Sequence, residues 1–298
     1  MAKNFEALFQ LAIEKGPKKV AVAVAQDEDV LGAVKEAYLK GIVTPVLVGD
    51  KEGIEKIAGA IGFDLTGVEI IDEKDGTAAA RKATSLVSSG YAQVLMKGLI
   101  DTSVIMRAVL DAEIGLRTGN VISHVAVFDV PTYHKVFIVT DAAMIIAPDI
   151  KQKKEIIENA VGLAHSLDIP NPKVAVLAAK EKVSDKMEAT VDAKTLTDMN
   201  KAGEIKGCIV DGPLALDNAV SKESARIKGI DSEVAGDADI LLAPDIEAGN
   251  ILYKALTFLG NAKSAGLIVG TSKPIVLTSR ADSEEAKLNS IVLATLMA

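Results

Sequence analysis

Apolar and polar positions follow two periods along this chain: short β-branched runs, and longer stretches with apolar residues three and four apart. Residues 20–25, 43–48, 68–71 and 93–96 read as strands, and helical spacing over 27–40, 51–61, 76–89 and 101–110 alternates with them. Strands regularly separated by helices predict a parallel sheet wound on both faces. The rhythm breaks at 121–130 and 135–140, two apolar runs joined by Pro131-Thr132-Tyr133-His134. Four residues cannot hold a crossover helix, so these strands should pair antiparallel, and a domain change is expected there. A helix at 151–167, a strand at 174–177 and a helix at 184–201 follow.

Two further runs stop at acidic turns. Cys208-Ile209-Val210 meets Asp211-Gly212-Pro213, and Ile240-Leu241-Leu242-Ala243 meets Pro244-Asp245, each before a helix-like segment. Ligand sites of open parallel sheets form at the carboxyl ends of strands, so these turns predict a cleft. A last strand at 274–277 passes through Thr278-Ser279-Arg280 into a closing helix, whose start is marked by Asp282 and Glu285 in capping-box spacing. The expected fold is α/β, with two domains that each hold a mostly parallel sheet flanked by helices around a cleft. Residues 1–128 with 272–298 form the first, and 129–271 the second.

Composition narrows the partners. At 298 residues and 49% hydrophobic, the chain has material for two cores. No apolar run reaches the length of a membrane span. Glu6 and Glu14 interrupt the N-terminal stretch, which lacks a small-residue cleavage site, so no secretory signal is expected. One cysteine excludes an intrachain disulfide and fits a reducing, cytoplasmic setting. A net charge of −8, no Trp and 3% aromatic residues argue against nucleic acid. Of 33 basic residues only five are Arg, at 81, 107, 117, 226 and 280. Each is a candidate for a planar anion contact or, alternatively, a surface ion pair.

The chemistry is that of anions rather than metals. His124, His134 and His165 lack ligand spacing and read as structural or surface residues, Cys208 reads as inert, and no metal is expected. The chain has no G-x-S-x-G elbow, no phosphate loop ending in G-K-[ST], and no GxGxxG after its first strand. Lys97, Gly98, Thr102 and Ser103 stand at a strand end and helix start, where free N–H groups attract phosphate; Arg107 follows one turn on. An ordinary N-cap by Asp101 explains the same pattern. Ser279 and Arg280 pair a hydroxyl with a guanidinium, which suits phosphate binding and an oxyanion. Asp211, Asp217, Asp245, Glu247 and Asn250 supply acceptors, although capping alone accounts for Asp245.

These clusters, in this order, resemble the phosphate acetyl/butyryltransferase family. The matching runs are Asp211-Gly212-Pro213-Leu214 through Ala219, Val234-Ala235-Gly236, Pro244-Asp245 through Lys254, Lys273-Pro274 and Ser279-Arg280. A looser match spans Thr140-Asp141-Ala142-Ala143 to Pro148-Asp149. The resemblance implies a fold like the isocitrate and isopropylmalate dehydrogenases, a homodimer, and reversible acyl transfer between coenzyme A and inorganic phosphate. Coenzyme A is then a substrate, and no cofactor is needed. The stretch 178–187 and the residues after Arg280 look closest to the butyryl branch, which implies butyryl-CoA as acyl donor.

Ser279, Arg280 and Arg107 match catalytic positions of the family. Lys97, Gly98, Thr102, Ser103, Arg117, Asp211, Asp245 and Asn250 are the substrate-binding candidates, Arg117 from the scarcity of arginine alone. One departure is Ala286, where acetyltransferases carry a proposed catalytic Asp. Three alternatives stay open: a phosphate acetyltransferase, an NAD-dependent hydroxy-acid dehydrogenase of the isocitrate type, and a non-catalytic acyl-CoA sensor.

Overall fold

The computed structural model describes residues 4–278 and 282–298. It begins with α1 (Phe5–Lys15), β1 (Lys18–Ala23), α2 (Glu28–Leu39), β2 (Val43–Gly49), α3 (Lys51–Ala60), β3 (Glu69–Asp72), α4 (Gly76–Ser88), β4 (Val94–Lys97) and α5 (Thr102–Val109). The next elements are β5 (Ser123–Asp129), β6 (Phe137–Thr140), α6 (Ile150–Ser166), β7 (Lys173–Leu177), α7 (Glu188–Lys201), β8 (Ile209–Leu214), α8 (Leu216–Val220) and α9 (Lys222–Ile227). Then come β9 (Ile240–Leu242), α10 (Ile246–Phe258), β10 (Lys263–Val269), β11 (Ile275–Val276) and α11 (Glu284–Met297). The fold is α/β, its strands mostly parallel and flanked by helices. It divides into one compact unit of Glu6–Asn120 with Ala265–Ala298, and another built on Val121–Ser264.

In the first unit the strand order is β3-β2-β1-β4-β11-β10, parallel except where β10 meets β11. Val20, Ala21, Val22 and Ala23 of β1 are all buried, as expected of a central parallel strand covered on both faces. Helix α2 starts where the Asp27 carboxylate accepts the Val30 N–H at 3.0 Å. It buries Val30, Leu31 and Val34 on its inner face. α11 is buried along its length from Leu288 to Leu296. Each such leucine contributes about 1.5–3 kcal/mol of burial free energy.

In the second unit the order is β5-β6-β9-β7-β8. β5 and β6 pair antiparallel, as their short connection requires, and the other pairs are parallel. Phe128 and Phe137 stack at 5.9 Å in a core that includes Val139, Leu177 and Leu241. At the lower end of this sheet the buried Lys135 ammonium lies 2.5 Å from Asp239 and 3.1 Å from Asp237. A charge so placed is tolerated because it is paired. Among the described residues, no helix is long and apolar enough to cross a membrane.

Five local expectations are corrected. β8 does not stop at Val210 but runs through Asp211, Gly212 and Pro213 to Leu214, with a register slip opposite Ala175–Leu177. Its edge position makes this possible, since proline there costs no ladder bond. α7 begins at Glu188 rather than 184, because the Thr190 hydroxyl bonds the Ser184 and Met187 carbonyls and closes a non-helical turn. β10 was not anticipated: Lys263–Val269 carries Gly266 inside an apolar run without a distinguishing period. The last strand shrinks to Ile275–Val276. Finally, the cap of α11 is Ser283, whose hydroxyl accepts the Ala286 N–H at 3.2 Å, rather than Asp282.

Candidate functional site

In the first unit, β1 and β4 end side by side, with Ala23 opposite Lys97. The chain then turns so tightly that the Gly98 N–H donates to the Ala23 carbonyl and the Leu99 N–H to the Val24 carbonyl, both at 2.8 Å. A Cβ on residue 98 would lie 2.2 Å from the Val24 carbonyl oxygen, so only glycine fits. Val24 itself has φ of 58°, a strained conformation for a β-branched residue. Lys97 is buried, its ammonium donating to the Gly98 and Ile100 carbonyls at 3.2 and 3.0 Å. These groups line a cavity of about 100 Å³ that also takes in Asp27, Asp29, Thr278 and Lys287. Thr278 is buried; Ser279 and Arg280, the two residues that follow it, lie outside the described residues.

Helix α5 starts four residues beyond the turn. Asp101 stands at its N-cap with extended backbone but no side-chain cap hydrogen bond, and Thr102 and Ser103 are exposed. The simple capping explanation of this sequence is therefore not realised. Ile105, Ala108 and Val109 face inward, which leaves Ser103 and Arg107, four apart, on one exposed face. The five arginines also sort themselves. Arg81 pairs with Asp111 and Arg226 grips Glu223 with two nitrogens, so the surface ion-pair reading holds for both. Arg107 and Arg117 form no ion pair among the described residues. Arg117 lies exposed on a short bridge to Thr271.

The acidic turns belong to the second unit. The Asp211 carboxylate is half-buried within β8 and accepts the Gly212 N–H at 2.9 Å. Asp245 caps α10 by accepting the Ala248 N–H at 2.8 Å. Asn250 donates its amide to the Ala142 carbonyl at 3.1 Å, and Gly249 permits the approach, since a Cβ there would sit 2.3 Å from the Asp141 carbonyl oxygen. Asp141 in turn is buried and accepts the N–H groups of Ala143, Met144 and Ile145. Burial nonetheless holds its pKa above the usual carboxylate value. Much of this motif thus seats α10 on the turn after β6. A larger cavity of about 540 Å³ in this unit has a mostly apolar wall, including Phe137, Leu241, Leu252 and Leu256, with His134, Ser221 and Lys222 among its polar lining.

A chain with this fold and these strand-end turns matches the family model described as "Phosphate acetyl/butaryl transferase" over residues 4–81 and 76–295. The chain belongs to that family. It is 52% identical to a phosphate butyryltransferase of Clostridium beijerinckii, over all of this chain and 99% of that one. It is 48% identical to a phosphate acetyltransferase of Thermotoga maritima, over 98% and 99% of the two chains. A solved branched-chain phosphotransacylase from Enterococcus faecalis superposes with a TM-score of 0.84 at 37% identity, covering 94% of this chain and 98% of that one.

For a member of this family, the first unit gathers Lys97, Gly98 and Thr278 around one cavity and sets Ser103 and Arg107 on the adjoining helix. Asp211, Asp245 and Asn250 lie in the other unit. Ala286, half-buried in the first turn of α11, is followed by the buried Lys287, which also lines the cavity. Two residues of consequence escaped the sequence reading: Lys287, buried in α11, and Asn218, fully buried with its Oδ1 lacking a partner among the described residues. His124, read as structural, is buried, with its Nδ1 lacking a partner among the described residues. Burial and the nearby Lys254 ammonium push the His124 imidazole down to about 4. The Cys208 thiol is pushed up to about 11 by burial, in keeping with an inert residue.

Proposed function

We propose that this chain interconverts butyryl-CoA plus inorganic phosphate and butyryl phosphate plus coenzyme A, through a complex holding both substrates. The observation that carries the reading is a buried lysine at a sterically closed strand end, beside a helix start whose carboxylate does not cap it. Full-length identity of 52% to a phosphate butyryltransferase supports the choice of substrates. A phosphate oxygen attacks the thioester carbonyl and the thiolate leaves. Lys97 and the first-turn N–H groups near Thr102 and Ser103 draw the phosphate, and Arg107 and Arg280 orient it. Ser279 donates a hydrogen bond to the tetrahedral oxyanion, an interaction typically contributing about 3 kcal/mol.

In the reverse direction the thiol must lose a proton. With an ordinary pKa near 8.5 it asks little of a base, which accommodates Ala286 where acetyltransferases carry Asp. An isocitrate dehydrogenase-like arrangement and a homodimer, checked by sedimentation, accompany this reading. The test is thiol release from butyryl-CoA with and without phosphate, in the wild type and in Ser279→Ala. Release should need phosphate and fall about 100- to 1,000-fold in the variant. Unchanged turnover in Ser279→Ala sinks the assigned role. The 48% identity to a phosphate acetyltransferase favours a second reading, the same chemistry on acetyl-CoA, and turnover of the two thioesters separates them.

A further inference from the structure

Lys287 is an unusual residue for its surroundings. It lies in the first turns of α11, whose buried face is mostly apolar, and is only 4% exposed. Its ammonium donates to the Asp282 carbonyl at 2.5 Å and lies 3.4 Å from the Asp29 carboxylate in the first turn of α2. Three residues earlier, at the first position of α11, the Glu284 carboxyl rests against α2 at Gly32, where a Cβ would come within 2.6 Å of Oε1. The beginning of α11 is thus pinned to α2 at two points, and Lys287 is the point that faces the cavity shared with Lys97 and Thr278.

We propose that Lys287 is a positioning residue of the phosphate site: its ammonium, bridging the Asp282 carbonyl and the Asp29 carboxylate, fixes where the chain enters α11 relative to the Lys97 cavity. The proposal rests on the acyl-transfer reading above. The cavity supports phosphate as the affected substrate. At about 100 Å³ it has room for a small tetrahedral anion and none for a coenzyme A moiety, and its lining sets the Lys97 and Lys287 ammoniums beside the Asp27 and Asp29 carboxylates. The bridge also has a mechanical logic. A carbonyl held by a buried charge-assisted bond is stiffer than one bonded to water, and misplacement by one ångström can cost about 100-fold in rate.

The experiment compares wild type, Lys287→Met, Lys287→Arg and Asp29→Asn. The readouts are kcat, KM for phosphate, KM for butyryl-CoA, and the thermal shift produced by inorganic phosphate alone. Lys287→Met should raise KM for phosphate about tenfold, leave KM for butyryl-CoA within about twofold, and abolish the phosphate-induced shift. Lys287→Arg should recover most of the loss. An equal change in both KM values, or a lowered melting temperature with phosphate KM intact, overturns the positioning role in favour of simple packing. Should Lys287→Met fail to fold, Asp29→Asn decides. That carboxylate is 58% exposed, so the variant folds, and it should shift phosphate KM in the same direction by a smaller factor. Wild-type protein without phosphate-dependent thiol release removes the underlying reading itself, whereas loss in Ser279→Ala with Lys287→Met unaffected removes only this inference.

Discussion

Two turns in this protein share a sequence grammar and differ in where their hydrogen bonds go. Each follows a parallel strand, carries an aspartate at the N-cap position, and leads into a helix. After β9, Asp245 caps α10, Gly249 lets the helix touch the Asp141 turn, and Asn250 bonds the Ala142 carbonyl. After β4, Gly98 closes against the Val24 carbonyl, Lys97 is buried, and Asp101 leaves the first turn of α5 without a side-chain cap. One turn satisfies its own polar groups and becomes a joint. The other leaves the first turn of α5 without a side-chain cap, and it is the turn we propose as the anion site.

Gly98→Ala should break the second turn outright. The new Cβ meets two backbone carbonyls at 2.2 and 2.7 Å, neither of which can move without β1. We expect a loss of about 3 kcal/mol, the upper end for overpacking, and at least a roughly 100-fold fall in phosphate-dependent thiol release. A variant that melts like wild type and keeps its turnover contradicts the account of this turn.

The joint region has a pH dependence of its own. His124 packs edge-on to Tyr253 of α10 at 5.9 Å, near Lys254, and its pKa falls from 6.5 to about 4. The folded state therefore refuses a proton that the unfolded chain accepts. Stability from this source is complete above pH 6.5 and lost as the pH drops toward 4. Between pH 7 and 5 the loss is roughly 2 kcal/mol. Asp141, with its raised pKa, works in the opposite sense, so the comparison must be made against His124→Leu. Denaturant midpoints of wild type should fall faster with acid than those of His124→Leu; parallel curves contradict the burial of a neutral imidazole.

What could be read in the sequence, and what could not, follows the same physical line. The β1–α2–β2–α3 alternation and the antiparallel β5–β6 pair were legible because period and connection length determine them. Asp211-Gly212-Pro213 reads as a break because proline and glycine interrupt central strands, yet β8 lies on an edge and continues through them. β10 was missed because Lys263–Val269 has no period that separates strand from buried helix. At the site, Lys97 and Gly98 stood out by their place at a strand end. Lys287 did not, because a lysine in a helix normally marks the solvated face, and its burial depends on α2, far away in sequence. Local sequence also cannot say whether Asp101 or Asp245 accepts from its own helix. That choice is made by how each helix start is held against its neighbours.

Lys97→Met probes the site at lower cost than the glycine change. It keeps the buried stem but removes the ammonium that satisfies the Gly98 and Ile100 carbonyls, so stability should fall by about 1–2 kcal/mol while KM for phosphate rises about tenfold. Equal KM values for variant and wild type would mean that the ammonium serves only the Gly98 and Ile100 carbonyls.

The smallest effect belongs to Asp245→Ala. Its carboxylate accepts the Ala248 N–H at 2.8 Å in the first turn of α10, so the expected loss is that of an N-cap, about 1 kcal/mol. A thermal or denaturant midpoint should register it, with KM for phosphate and butyryl-CoA unchanged. The contrast between the two turns is then sharpest in substrate affinity: Asp245→Ala moves stability alone, and Lys97→Met moves phosphate affinity as well. If Asp245→Ala instead raises KM for butyryl-CoA at an unchanged midpoint, the turn after β9 is a site as well, and its cap is the resting arrangement of a group that substrate recruits.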